Sequence, residues 1–274
     1  MQLFSSWTGG DFLLFYAMML AMGVLASLWM PISLRPEGRR SNSLDAEDAA
    51  MLAGGPERMA DSVVADLFAR GALAEAGSGK LSVIDSTIPA TAAGKAVLSL
   101  PGSFDMKKTR AALSPHIDRL TARLRRQRLL VSTVELARLR WLAGAPLGVL
   151  FVLGLYRQRA GSAVGEPTEG LVALLAVTAV AAVIRIAKLD RRTQGGIDTF
   201  YAMRDQSERL RLAPRTDEAM LAVALFGTGV LIGTPWQPVH AMRQSGSDGG
   251  GSGDSSSDGD GGSGCGGGCG GCGG

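Results

Sequence analysis

The fold class this sequence predicts is an all-α membrane protein with three or four transmembrane helices, a small winged-helix-like soluble domain and a disordered Gly-rich tail. Three observations predict it. Apolar residues gather into long uncharged runs instead of spreading along the chain. The one long polar stretch, 41–140, carries apolar residues at helical spacing. The last thirty residues are Gly, Ser, Asp and Cys only.

The strongest run is double. Trp141–Tyr156 and Gly170–Ile184 each lack a charged residue, and RQRAGSAVGEPTE joins them. Neither arm offers water a polar face, which a soluble helix needs. In a bilayer a helix satisfies its own backbone and every side can be apolar. Residues 141–187 are therefore expected to form a transmembrane hairpin.

Ahead of it, residues 1–11 carry no Lys or Arg, and FLLFYAMMLAMGVLASLWM follows at 12–30, closed by Pro31. Nineteen uncharged residues reach about 28 Å, close to the hydrocarbon thickness. A cleaved signal peptide would want a basic leader, and none is present. Arg35, Arg39 and Arg40 come next, so the positive-inside rule puts residues 1–11 outside and residues from Pro31 onward in the cytoplasm.

Residues 41–140 are expected to be a cytoplasmic winged-helix-like domain. Asp45 or Ser43 can cap a helix through Ala46–Leu52, and Gly54-Gly55-Pro56 ends it and starts another. Met59, Val63, Val64, Leu67 and Phe68 share a helix face, Gly71 supplies a C-cap and Leu73 the closing contact. KLSVID after the Gly77–Gly79 turn reads as a strand. A second unit echoes the first: Ser114-Pro115 breaks the chain, Ile117, Leu120 and Leu124 share a face, and Arg128-Leu129-Leu130 closes it.

Arg119, Arg123, Arg125, Arg126, Arg128, Arg138 and Arg140 precede the hairpin, and Arg185, Lys188, Arg191 and Arg192 follow it. Both flanks are thus expected in the cytoplasm, with Arg157 and Arg159 against the trend. The short first arm would lean on Trp141 and Tyr156 at the interfaces, and Pro146 is a site for a kink. Residues 197–212 read as an amphipathic cytoplasmic helix ended before Pro214. Residues 220–236 are apolar but short and glycine-containing, so they either cross as a fourth helix or lie on the hairpin or the interface.

The tail, 245–274, cannot bury enough surface to order itself. Cys265, Cys269 and Cys272 are the only cysteines and the only metal-ligand candidates. Their C-x3-C-x2-C spacing matches a radical-SAM cluster motif, but no strand-rich barrel accompanies it. Soft-metal binding, covalent modification, cross-linking and a tail with no resolved role all stay open. Asp248, Asp254, Asp258 and Asp260 lack the closing glutamate of a calcium loop.

Catalysis finds no pattern. His116 and His240 are the only histidines, and Gly77–Lys80 lacks the rest of a phosphate loop. A net charge of +3 is small for nucleic acid, and the helix after Pro56 sets Glu57, Asp61 and Asp66 against Arg58 and Arg70. The expectation is a non-enzymatic membrane-anchored interaction or scaffold protein with no cofactor. Its partners would be the lipid bilayer and a protein on the cytoplasmic side, with nucleic acid disfavoured. The alternatives are a carrier or precursor whose tail cysteines are modified or bind metal, and a membrane-tethered DNA-binding regulator.

In order, LDAEDAAMLAGGPERMADSVVADLFARGAL, RRQRLL, the hairpin with its DRRTQGG exit, MLAVALFGTGVL and CGGGCGGCGG resemble a family of uncharacterised bacterial membrane proteins with a Gly- and Cys-rich C-terminus. AGGPER at Ala53–Arg58 and the terminal CGGGCGGCGG are its most specific pieces. The resemblance spans most of the chain from Leu44 onward. It implies a bacterial envelope location and no activity for any residue; with the apolar runs, the expectation is multi-pass residence in the bacterial cytoplasmic (inner) membrane.

Overall fold

The structure is a computed structural model that describes residues 9–41, 43–77, 79–164 and 169–246. It is mostly helical. Three described helices are long and apolar enough to cross a membrane, with spans at Gly10–Ser33, Thr133–Ala160 and Gly170–Ala187. They belong to α1 (Gly9–Ser33), α5 (Thr133–Val164) and α6 (Glu169–Ala187). α1 runs past Pro31, so that proline does not end it. α5 is far longer than its uncharged run and at about 48 Å exceeds the thickness of a bilayer core.

The three helices pack as a bundle whose outer surface is apolar. Leu14, Met18, Leu25, Val149, Val152, Val177 and Val183 are all exposed. Inside, close approach replaces bulk. A Cβ on Gly154 would stand 2.8 Å from Leu175 and 2.9 Å from the Tyr16 ring, and one on Gly23 would stand 2.7 Å from Leu150. Tyr16 and Thr178 are fully buried, their hydroxyls 3.2 Å apart, and Tyr16 also donates to the Leu150 carbonyl. A polar group surrounded by hydrocarbon needs such a partner. Pro31 cannot donate to the carbonyl of Ser27 one turn earlier, and Arg185 Nε takes that oxygen at 3.0 Å.

The polar unit has a different construction. α2 (Ala46–Ala69) is two helices joined at Gly54 and Gly55, whose φ of 67° and ψ of −150° at Gly55 suit glycine alone. Asp45 holds the N-cap position without a side-chain cap, because its carboxylate meets Arg123. At the other end Ala72 donates to Leu67 O and Gly71 to Phe68 O, the paired bonds of a Schellman motif with Gly71 at φ 75°. Strands β1 (Leu73–Glu75), β2 (Leu81–Val83) and β3 (Ser103–Phe104) form an antiparallel sheet in that order. α3 (Ala92–Leu98) lies between β2 and β3 in sequence, capped by Thr91. The two short helices of α2 are thus followed directly by the strand pair β1–β2, and α3 intervenes before the third strand.

α4 (Met106–Arg126) is continuous through Pro115, which overrides the expected break at Ser114-Pro115. Leu113, Ile117 and Leu124 are buried on its inner face, and that packing on α2 outweighs the missing N–H. It closes as α2 does. Leu129 donates to Leu124 O and Arg128 to Arg125 O, with Arg128 left-handed at φ 58°.

The C-terminal segment completes this unit. α7 (Gln194–Gln206), α8 (Arg209–Leu212), α9 (Ala219–Phe226) and α10 (Gln237–Gly246) follow the hairpin. The expected helix over 197–212 is thus two, parted at Ser207–Glu208. α9 spans about 12 Å, too short to cross. Its Met220, Val223, Ala224 and Leu225 are buried in one core with Met59, Val63, Val64 and Leu67. This corrects the fourth crossing: 220–236 is a core helix and a turn. It also redraws the soluble unit. That unit is not closed within 41–140, because α2 is covered from both sides of the hairpin.

Candidate functional site

Among the described residues, hydrogen bonds between distant segments gather at the junction of bundle and polar unit. Three segments meet there: 34–41 after α1, 128–132 before α5, and 188–199 after α6. Arg39 N donates to Arg128 O, Val131 N to Arg191 O and Thr193 N to Leu129 O. Gln194 N donates to Pro36 O at 3.0 Å, and Gly195 N to Glu37 O at 2.6 Å. Thr193 is central and buried. Its hydroxyl donates to the Arg128 and Leu129 carbonyls and accepts from Gly196 N as the cap of α7.

The local sequence DRRTQGG suits this. Asp190 pairs with Arg35 at 3.3 Å and with Arg192 at 3.2 Å. A Cβ on Gly195 would lie 2.6–2.8 Å from the Arg39 backbone, so only glycine lets the two chains meet. Arg40 bonds Asp198, and Ser41 N donates to Thr199 Oγ1. The start of α5 is fixed by a reciprocal box, Glu135 N to Ser132 Oγ and Ser132 N to Glu135 Oε2. Beneath it Val131, Leu136, Leu139, Ala143 and Leu189 form a small buried cluster. The basic flanks of the apolar runs thus meet in a hydrogen-bonded knot that the sequence does not announce. The Thr and the Gly pair of DRRTQGG, beside a charged run, were its only signal.

A second cluster lies in the polar core on α2. Asp48, Asp61 and Asp66 are buried, and each faces an arginine: Arg123, Arg243 and Arg70. Arg243 on α10 also reaches Glu57 at 3.5 Å, and Arg110 meets Glu57 at 3.0 Å. Burial pushes the Asp61 carboxyl up to about 6, only partly offset by Arg243 and Arg58. Burial likewise raises Asp48 and Asp66 against the pull of Arg123 and Arg70. Arg123 Nη2 is 2.7 Å from Asp48 Oδ2 but off hydrogen-bond geometry, its directed bond going to Asp45. The pairs with Arg110 and Arg123 tie α4 to α2 and those with Arg243 tie α10 to it, while Asp66–Arg70 lies at the last turn of α2. No sugar-, phosphate- or metal-like arrangement emerges from them.

The remaining sequence candidates do not converge. Cys265, Cys269 and Cys272 and the tail aspartates lie outside the described residues. His116 is half-buried on α4, and His240 on α10 meets Thr228 and Gln244. Among the described residues no three His, Cys, Asp or Glu are placed to hold a metal. Gly77, Gly79 and Lys80 lie between β1 and β2, with Lys80 N donating to Gly77 O. The helix after Pro56, the candidate reading helix, is buried from Met59 to Leu67. No family model matches the chain, and neither a curated protein nor a solved structure matches it.

Proposed function

We propose that this chain is a multi-pass protein of the bacterial cytoplasmic membrane that holds a non-enzymatic docking module at the inner face for a partner protein. The observation that carries the reading is the junction. All three apolar helices end in one hydrogen-bonded knot, from which the polar unit is suspended by backbone bonds rather than a free linker. Such coupling serves a scaffold, whose module must be presented at a fixed height. Positive charge beside the helix ends supports the orientation, with residues 1–11 outside. The module sets two short helices ahead of a strand pair, the order expected of a winged-helix-like unit, with α3 inserted before β3. Burial of the helix after Pro56 weighs against a tethered DNA regulator, because a reading helix must present its side chains to a groove. On α7 and α8, Tyr201 and Leu212 are exposed apolar residues of the polar unit, with Arg211 exposed beside Leu212. They are the expected docking face.

The test is photo-crosslinking in cells with the full-length chain carrying a crosslinker at Leu212. Discrete protein adducts, absent when the probe stands at buried Leu225, are expected. Adducts to nucleic acid alone would contradict the reading.

A further inference from the structure

The junction carries more than a mechanical role. Segments 34–41, 123–140 and 185–192 hold thirteen basic residues against three acidic ones, while the whole chain has a net charge of only +3. The three acids are engaged or outnumbered: Asp190 meets Arg35 and Arg192, Glu135 caps α5, and Glu37 stands alone on its segment. Arg39, Arg128, Arg138, Lys188 and Arg191 are exposed and form no ion pair among the described residues. Arg140 adds a buried Nε without a hydrogen-bond partner. A donor that has lost water without gaining a partner is costly, and a phosphate oxygen at that place would satisfy it.

Arg138, Arg140, Lys188 and Arg191 lie within six residues of Gly144 or Ile186 in the chain. A Cβ on Gly144 of α5 would lie 3.0 Å from Ile186 of α6, and Arg185 of α6 bonds Ser27 of α1, so these residues mark one level of the bundle. Trp29 is 70% and Trp141 81% exposed close to that level, with Ile32, Leu34 and Val134 exposed further out. Exposed tryptophans at a helix end are the usual anchors at the headgroup layer. Leu189 packs with Val131, Leu136 and Leu139, which sets Lys188 and Arg138 on either side of one apolar knot. A belt of unpaired cations interleaved with exposed apolar side chains fits a surface that is itself anionic outside and apolar within.

We propose that this belt binds the phosphate headgroups of anionic phospholipid, with Arg138, Arg140, Lys188 and Arg191 as the principal donors. Each cation in such a layer adds attraction that salt screens. Nucleic acid, the other polyanion, would have to lie over exposed Trp29 and Trp141 without desolvating them usefully, so the belt favours lipid. The inference goes beyond the docking role and does not depend on it.

The experiment uses the full-length protein purified in a neutral detergent and offered equimolar phosphatidylglycerol and phosphatidylcholine. Bound lipid is counted by native mass spectrometry. The expected result is a preference of about tenfold or more for phosphatidylglycerol. It should collapse to within about twofold in the Arg138→Gln, Lys188→Gln, Arg191→Gln variant and persist when the same three positions become or remain Lys. Should the Gln variant not fold, raising salt to about 1 M over the native protein replaces it, and the preference should fall by a comparable factor. Equal retention of the two lipids, or a preference unchanged by the variant and by salt, would overturn the proposal. So would binding of duplex DNA that the variant abolishes while lipid retention stays indiscriminate.

Discussion

The bundle and the polar unit solve the same packing problem in opposite ways. In the bundle the exterior is apolar and the few polar side chains are turned inward, where Tyr16 meets Thr178 and Leu150. In the polar unit the interior is apolar around α2 and α9, yet three aspartates of α2 are carried into it, each opposite an arginine. Glycine and threonine let the bundle helices approach, whereas large aliphatic side chains fill the polar core. The difference follows from the solvent. Lipid supplies no hydrophobic drive between helices, so close contact and internal hydrogen bonds must hold them. Water supplies that drive to the polar unit, and ion pairs there fix which helices meet instead of supplying the bulk of the stability.

The junction joins the two regimes, and breaking it should give the largest effect. Gly195→Val puts atoms into the Arg39 backbone and is expected to cost about 3 kcal/mol or more, read as thermal unfolding of the purified protein in detergent. A variant that melts with the native protein would mean the knot is dispensable. Leu67→Ala, in the polar core, should cost about 2–5 kcal/mol by the same measurement, since Leu67 is fully buried. Thr178→Val in the bundle should cost only about 1 kcal/mol, in line with hydrogen bonds between membrane helices. Equal losses at Leu67 and Thr178 would erase the contrast between the regions.

Asp61 sharpens the comparison through pH. Its folded value is raised to about 6 from 3.8, so the folded state binds the proton more tightly than the unfolded state. The Asp61 contribution to stability therefore increases as pH falls from about 6 towards 4, and is lost as pH rises through that window. Asp48 and Asp66 shift in the same direction, while Glu218, held by Arg209, shifts the other way. The difference between native protein and Asp61→Asn isolates the one group. Parallel pH curves for the two would show that Asp61 titrates as in water. The smallest change belongs to Arg128, left-handed at the end of α4. Arg128→Gly should raise stability by about 1 kcal/mol by removing that strain, provided its carbonyl keeps Thr193 and Arg39.

How far the sequence could be read depends on which forces wrote each part. Long uncharged runs such as Phe12–Met30 and Gly170–Ile184 have no alternative in water, so the three apolar helices were legible. The turn chemistry at Gly54-Gly55-Pro56 and Gly71 was legible too, because left-handed backbone leaves glycine at fixed places. The segment 220–236 was ambiguous for a physical reason: the core of a soluble unit and a bilayer demand the same apolar side chains. Only the contact of Val223 and Leu225 with the core of Met59 and Val64 decides between them. Pro115 misled because tertiary packing of Leu113 and Ile117 keeps a helix that local propensity would break. The junction was hidden for another reason. Its bonds are between backbone atoms of segments far apart in sequence, and backbone leaves no composition signal beyond Gly195, Gly196 and Thr193. The tail cysteines lie outside the described residues, so the structure adds nothing to them.

The central claim is that the chain crosses three times, with α9 folded into the polar unit. Single cysteines at the exposed positions Asp217 and Ala241 flank α9, each placed in a chain whose native cysteines are serine. Labelling with a membrane-impermeant maleimide in intact cells, with a Gln2→Cys chain as the outside control, tests the claim directly. The account predicts that Asp217→Cys and Ala241→Cys are both protected in intact cells and both labelled after lysis, while Gln2→Cys is labelled throughout. Labelling of Ala241→Cys but not Asp217→Cys in intact cells would make α9 a fourth crossing and contradict it.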